Sequence, residues 1–158
     1  MDDLKGVGHW PKFLAQIIAA SLLIYFSNSV LVNFGDLLGM GTIAIESQWL
    51  AYGLTVLGVV GVINSVNMID GLDGLAGGVS FIAFISFAFQ ASLAQQPVLM
   101  LLCLAFAGAL LGFLRFNWSP SLLFMGDAGS ICLGFALCYM ALALTQGEGS
   151  QVRPVSAL

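Results

Sequence analysis

Hydrophobic and polar positions along the chain sort into five long apolar runs separated by short polar intervals. The runs cover roughly residues 13–32 ("FLAQIIAASLLIYFSNSVLV"), 50–66, 78–93, 97–115 and 129–145. Each is long enough, or nearly so, to cross a hydrocarbon layer about 30 Å thick. Apolar positions do not alternate with period two, so the pattern is not that of an outer-membrane barrel. In lipid the backbone must satisfy its own hydrogen bonds, so the runs predict helices. The expected fold is all-α, a polytopic transmembrane helical bundle of about five spans forming a single membrane domain over residues 1–158. Gly108 and Gly112 form a small-xxx-small pair in the fourth run, which predicts a close helix–helix contact there.

Composition agrees. Hydrophobic residues make up 59% and charged residues 8% of the 158, with a mean hydropathy of +1.01. Soluble domains carry about 25% charged residues, and a fold with so few could not cover its surface in water. The net charge of −4 offers no basic face for nucleic acid. Cys103, Cys132 and Cys138 all lie inside apolar runs, as packing residues do, and not as a disulfide frame or metal set. The opening "MDDLKGVGHWPK" has no features of a cleavable signal peptide.

Five alternating spans assign the intervals to sides. Residues 1–12, 64–77 and 116–128 share one side; 33–49, 94–96 and 146–158 share the other. Lys5, Lys12 and Arg115 fall on the first side and Arg153 on the second, so the positive-inside rule makes the first side cytoplasmic. Asp2, Asp3, Asp70, Asp73 and Asp127 fall on that same side; Asp36, Glu46 and Glu148 fall opposite. Trp10, Trp49 and Trp118 stand near span ends, as interfacial anchors do.

Five carboxylates against three cations leave a local negative excess. Like charges at short range raise one another's pKa unless a cation intervenes. Carboxylate and carboxamide oxygens suit a hard divalent ion, Mg²⁺ or Mn²⁺. Zinc is disfavoured, because His9 is the single histidine. In "NSVNMIDGLDGLAGG", Asn64, Asn67, Asp70 and Asp73 recur every three residues, which predicts a polar stripe descending from the end of span two into the following turn. Gly71, Gly74, Gly77 and Gly78 permit tight turns beside it. In "FMGDAGSICLGF", Asp127 stands at the start of span five, either as an N-cap or beside free N–H groups that favour phosphate. "DGLDG" is not an EF-hand loop, and neither a P-loop nor a Gly-x-Ser-x-Gly elbow occurs. The residues alone leave two readings open. One is an enzyme acting on nucleotide and lipid phosphates. The other is a non-enzymatic membrane protein, such as a transporter piece, with an acidic cation site.

Four blocks carry a resemblance: "DDL…PKFLAQ" at 2–16, "NSVNMIDGLDGLAGG" at 64–78, "FNWSPSLLFMGDAGS" at 116–130 and "TQG…PVSAL" at 145–158. Together they resemble the polyprenyl-phosphate N-acetylhexosamine-1-phosphate transferases (glycosyltransferase family 4). The last block is similar to the WecA-type undecaprenyl-phosphate N-acetylglucosaminyl-1-phosphate branch more than to the phospho-N-acetylmuramoyl-pentapeptide branch. The resemblance implies transfer of a sugar-1-phosphate, N-acetylglucosamine-1-phosphate on this reading, from a UDP-N-acetylhexosamine to undecaprenyl phosphate. UMP is released, with Mg²⁺ as cofactor, at the cytoplasmic face of a bacterial plasma membrane. This would be the first membrane step of a cell-envelope polysaccharide such as the O-antigen of lipopolysaccharide. The partners implied are the UDP-sugar, undecaprenyl phosphate and the bilayer, with a homodimer left open and no nucleic acid.

The resemblance also implies roles. Asp127 would be a Mg²⁺ ligand, with Asp70 beside it. Asp2 or Asp3 would orient or deprotonate the lipid phosphate. Asp70 and Asp73 would hold the nucleotide side with Asn67 and Asn64, Asn64 having span capping as its alternative. Asn117 matches a polar position near the nucleotide. Phe124 would stack on uracil, or else pack at the interface. Lys12, and less directly Lys5, would face a phosphate, or else anchor topology. Members of this family carry spans before the first aspartate pair and a His-rich loop with further spans beyond. The expectation is therefore a central part of a longer multi-span enzyme.

Overall fold

The computed structural model describes residues 8–34 and 43–146. Among these residues five helices follow one another: α1 (His9–Ser27), α2 (Gln48–Ile69), α3 (Leu75–Leu93), α4 (Pro97–Asn117) and α5 (Gly126–Gln146). All five are long and apolar enough to cross a membrane. Large side chains such as Tyr25, Phe26, Leu57, Ile82, Phe89, Val98 and Leu101 stand exposed along them, which is tolerable only where lipid is the solvent.

Local chemistry sets the ends. Pro97 opens α4 at the first turn, where a missing N–H costs nothing. Gly74, at φ +73°, takes the left-handed conformation that starts α3 immediately after the turn closing α2. The α3–α4 connection is a tight reversal in which the N–H groups of Ala94 and Gln95 donate to the carbonyls of Gln90 and Ser92.

The first span departs from expectation. The run 13–32 was read as one helix, but α1 starts earlier, at His9, and stops at Ser27. Asn28 adopts φ 50°, a left-handed cap, and the Ser29 hydroxyl donates to the Ser27 carbonyl. Residues 30–34 have left the helix, and Asn33 pairs with Ala44 in an isolated antiparallel bridge. Hydropathy does not distinguish this apolar strap from helix. Its backbone is satisfied laterally: Leu31 N–H donates to Thr55 Oγ1 at 2.9 Å, and Gln146 accepts from Val32 N–H and donates to the Asn33 carbonyl at 3.0 Å.

Two packed clusters join the helices. One unites α3, α4 and α5 around Phe84, Ala88, Cys103, Ala107, Leu133 and Met140, with Phe84 stacked on Phe106 at 4.8 Å between ring centres. The other unites α1, α2 and α5 around Ala20, Leu23, Val59, Ile63 and Leu142. Helix α5 belongs to both and is the most buried of the five.

The close helix contacts are not where the Gly108/Gly112 pair predicted. A Cβ added at either glycine would meet nothing within 4 Å, so that face of α4 is open among the described residues. The intimate approaches are at Gly134, where a Cβ would lie 2.7 Å from Ile63 Cα of α2, and at Gly77, 3.0 Å from a Leu114 methyl of α4. The spacing of the motif marks a surface that can pack closely, and neighbours decide whether it does.

This contrast is testable. Gly134→Ala places a methyl against backbone that cannot rotate away, so α2 and α5 must separate at a cost of about 1–3 kcal/mol. Thermal unfolding in detergent is expected to show a lower melting temperature for Gly134→Ala and no loss for Gly108→Ala.

Candidate active site

Three elements converge at one end of the bundle: the first turns of α1, the end of α2 and the start of α5. The i, i+3 stripe on α2 places Asn64, Asn67 and Asp70 toward α1 and α5 as the spacing predicted. Asn64 Nδ2 donates to Gln16 Oε1 of α1 at 2.7 Å and to the Val60 carbonyl. One turn nearer the end, Asn67 Nδ2 donates to Asp127 Oδ1 at 3.1 Å and to Ser130 Oγ at 2.8 Å. Asp70 follows the last helical residue and accepts from the Gly126 backbone N–H.

Asp127 stands in the first turn of α5, where helix N–H groups favour a carboxylate. Its Oδ2 pairs with Lys12 Nζ at 2.6 Å, with both side chains partly exposed. One carboxylate thus joins a cation from α1 and an amide from α2. Ser130, fully buried, passes its proton back to the Gly126 or Asp127 carbonyl, which leaves its lone pairs to accept from Asn67.

The charge balance is uneven. Burial pushes the Asp70 carboxyl above its ordinary value; the Gly126 N–H opposes this, and the nearby Asp127 carboxylate adds to it. An acid whose pKa is raised by folding contributes stability below its unfolded value of 3.8, and that contribution is lost as pH rises through the folded value. At neutral pH the ionised Asp70 therefore opposes folding, and a neighbouring cation relieves the cost. The hard carboxylate oxygens of Asp70 and Asp127, near enough to repel one another, are the residues that could hold a divalent ion such as Mg²⁺. Among the described residues no group of three or more His, Cys, Asp or Glu side chains comes together.

Asp73, Asn117 and Phe124 lie at the same end but not in this cluster. Helix α2 has ended before Asp73, so the stripe breaks there. Asp73 turns to the 118–125 loop, accepting from Ser121 N–H at 3.1 Å and Ser121 Oγ at 2.8 Å. Asn117 is buried; its Oδ1 accepts from Gly74 N–H at 3.0 Å, and its Nδ2 donates to the Leu123 carbonyl at 2.7 Å. It pins the turn after α2 to the loop before α5. Phe124 is 72% exposed beside Leu122 and Leu123 on the rim. Asp2, Asp3 and Lys5 lie outside the described residues.

Gln16, Ser121 and Ser130 were missed as partners of the predicted residues. The signal for Gln16 was available: it follows Lys12 by one helical turn and is polar within an apolar run. Ser130 follows Asp127 by three residues, on the same helical face.

Two measurements check this geometry. Without divalent metal, Asp70→Asn is expected to raise the melting temperature at pH 7, with the gain shrinking toward pH 4 as Asp70 itself protonates. Asn117→Ala strands the Gly74 N–H and the Leu123 carbonyl, at about 1–3 kcal/mol for a buried polar group left unpaired. It is expected to destabilise more than Asp73→Ala, whose partners at Ser121 are open to solvent.

Comparison with known proteins adds a lineage to this arrangement. A family model described as Glycosyl transferase family 4 matches residues 1–145. The phospho-N-acetylmuramoyl-pentapeptide-transferase of Limosilactobacillus fermentum is 39% identical over 143 residues, covering 89% of this chain and 42% of that protein. A probable undecaprenyl-phosphate N-acetylglucosaminyl 1-phosphate transferase of Bacillus subtilis is 37% identical over 142 residues, covering 90% of this chain and 39% of that protein. The pentapeptide transferase of Clostridium perfringens is 56% identical over 46 residues, 29% of this chain and 14% of that protein. The chain therefore spans less than half the length of the curated relatives it matches along most of its own sequence.

Proposed function

The chain belongs to glycosyl transferase family 4, and from that premise we propose that it forms the central membrane part of an enzyme that transfers a sugar-1-phosphate from a UDP-sugar to undecaprenyl phosphate. The observation that carries this reading is the convergence of Lys12, Asn67, Asp70 and Asp127 from three helices at one end of the bundle. A transporter's acidic site lies characteristically near the bilayer midplane in broken helices. Here both carboxylates stand at the ends of unbroken ones.

In the proposed reaction an oxygen of the lipid phosphate attacks the sugar-bearing phosphorus of the donor. A new P–O bond forms, the P–O bond to the nucleotide phosphate breaks, and UMP leaves with the electron pair. Both reactants are anionic, so their approach must be neutralised. Asp70 and Asp127 would hold Mg²⁺, which supplies that neutralisation when bound. Lys12 exchanges its pairing with Asp127 for a phosphate oxygen. Asn67 and Ser130 keep the Asp127 carboxylate oriented. Asp2 or Asp3 would orient the acceptor phosphate. Asp73 and Asn117 fix the loop that carries Phe124, which gives a uracil a ring to stack on. A cytoplasmic face for this end is supported by the sequence through the positive-inside rule, from Lys5, Lys12 and Arg115. On the "TQG" and "PVSAL" stretches the donor is UDP-N-acetylglucosamine, with UDP-N-acetylmuramoyl-pentapeptide as its competitor.

UMP release tests this. Membranes containing the chain, alone and within the longest reading frame that encodes it, would be supplied with undecaprenyl phosphate, Mg²⁺ and either donor. The reading expects UMP from UDP-N-acetylglucosamine in the longer form and a fall of about 10²-fold or more for Asp127→Asn and Asp70→Asn, the scale on which removal of a charge-stabilising group acts. An active longer form whose rate survives both substitutions overturns it.

A further inference from the structure

Helix α1 packs mainly on α2 and meets α5 only sparsely. At the acidic end it reaches Asp127 through the Lys12 side chain, whose pairing is partly exposed. A lysine is a point charge on a flexible stem, so this contact alone does not fix where the ammonium stands. One turn further along α1, on the same face, Gln16 makes a contact of a different kind. It is 5% exposed within an otherwise apolar stretch, and its Oε1 accepts from Asn64 Nδ2 of α2 at 2.7 Å.

A third group decides the direction of this bond. The Val60 carbonyl can only accept, so the end of Asn64 that faces it is the amide nitrogen. The same nitrogen reaches Gln16, which therefore presents its oxygen. Both Nδ2 hydrogens of Asn64 are spent inside the bundle, and neither is left for a phosphate. The contacts form two consecutive rungs: Gln16 with Asn64, then, one turn nearer the site on both helices, Lys12 with Asp127 and Asn67. The deeper rung is neutral, and its neutrality has a use. A carboxylate at position 16 would also accept from Asn64, but it would stand one turn from Lys12 and compete with Asp127 for the ammonium.

We propose that Gln16 is a positioning residue: by pairing with Asn64 it fixes α1 on α2 and so holds the Lys12 ammonium at Asp127. It acts through Lys12 and not on a substrate. When Lys12 exchanges Asp127 for a phosphate oxygen, the deeper rung still holds α1, so the ammonium moves by side-chain rotation with its helix in place. The bearing on turnover rests on the transferase reading given above; the hold on the Lys12–Asp127 contact does not.

Two experiments decide it and keep these claims apart. The first reads the contact without turnover. In the chain labelled with ¹⁵N-asparagine, the Asn67 side-chain amide reports on the Asp127 carboxylate to which it donates. Gln16→Leu keeps the bulk and removes the acceptor; it is expected to shift the Asn67 side-chain signals as Lys12→Ala does. The exchanged pair, Gln16→Asn with Asn64→Gln, restores an amide rung and is expected to return them toward wild type. Where Gln16→Leu does not fold, Gln16→Glu keeps the bond to Asn64 and is expected to shift the same signals by drawing Lys12 off Asp127. Asn67 signals that stay at their wild-type positions overturn the proposal. The second experiment uses the longer form. Gln16→Leu is expected to lower kcat about tenfold when Lys12 is present and by less than about twofold in a Lys12→Ala background, because the group it positions is already gone. Equal losses in both backgrounds mark a merely structural role and overturn the proposal while leaving the transferase reading standing. Shifted Asn67 signals with no UMP from the longer wild-type form do the reverse.

Discussion

The Lys12–Asp127–Asn67 contact is the constraint on which the rest of the arrangement depends. It brings a cation, a carboxylate and an amide from three separate helices to within hydrogen-bonding distance at the margin of an apolar bundle. Such groups are costly near lipid unless each finds a partner, and here each does. The pair itself is partly exposed, so its worth to stability is small. Its value is positional: it sets the relation between α1, α2 and α5 at the one end where acidic groups accumulate.

Packing elsewhere serves that relation. Gly134 lets α2 and α5 approach backbone to backbone, which carries the Asn67–Asp70 face of α2 against the start of α5. Asn117, the last residue of α4, ties the turn after α2 to the loop before α5 through its side-chain amide. At the opposite end Gln146 and Thr55 hold the strap of residues 30–34. With α2 and α5 locked together, α1 packs mainly on α2.

Much of this was legible in the sequence, because lipid makes the rules strict. Five apolar runs had to be helices, and alternation alone put residues 64–77 and 116–128 at the same end. The three-residue spacing from Asn64 to Asp70 read correctly as one face. It failed at Asp73 because the helix stops at Ile69, and a periodicity argument cannot see its own end. It failed at residues 28–32 because an apolar strap and an apolar helix have the same hydropathy. Gly108 and Gly112 failed for a third reason: a motif states what a surface permits, and the partner is a property of the whole fold. The meeting of Lys12 with Asp127, 115 residues apart, was a matter of side assignment only; the contact needed tertiary structure.

The central claim is that Asp70 and Asp127, brought together from α2 and α5, form one cation site. Mn²⁺ binding followed by its electron paramagnetic resonance signal tests it most directly, on the wild-type chain and on Asp70→Asn, Asp127→Asn and Asp73→Asn. The account predicts that one bound Mn²⁺ is lost or strongly weakened in the first two variants and retained in the third. Binding that persists in Asp127→Asn, or that disappears only with Asp73, would contradict it.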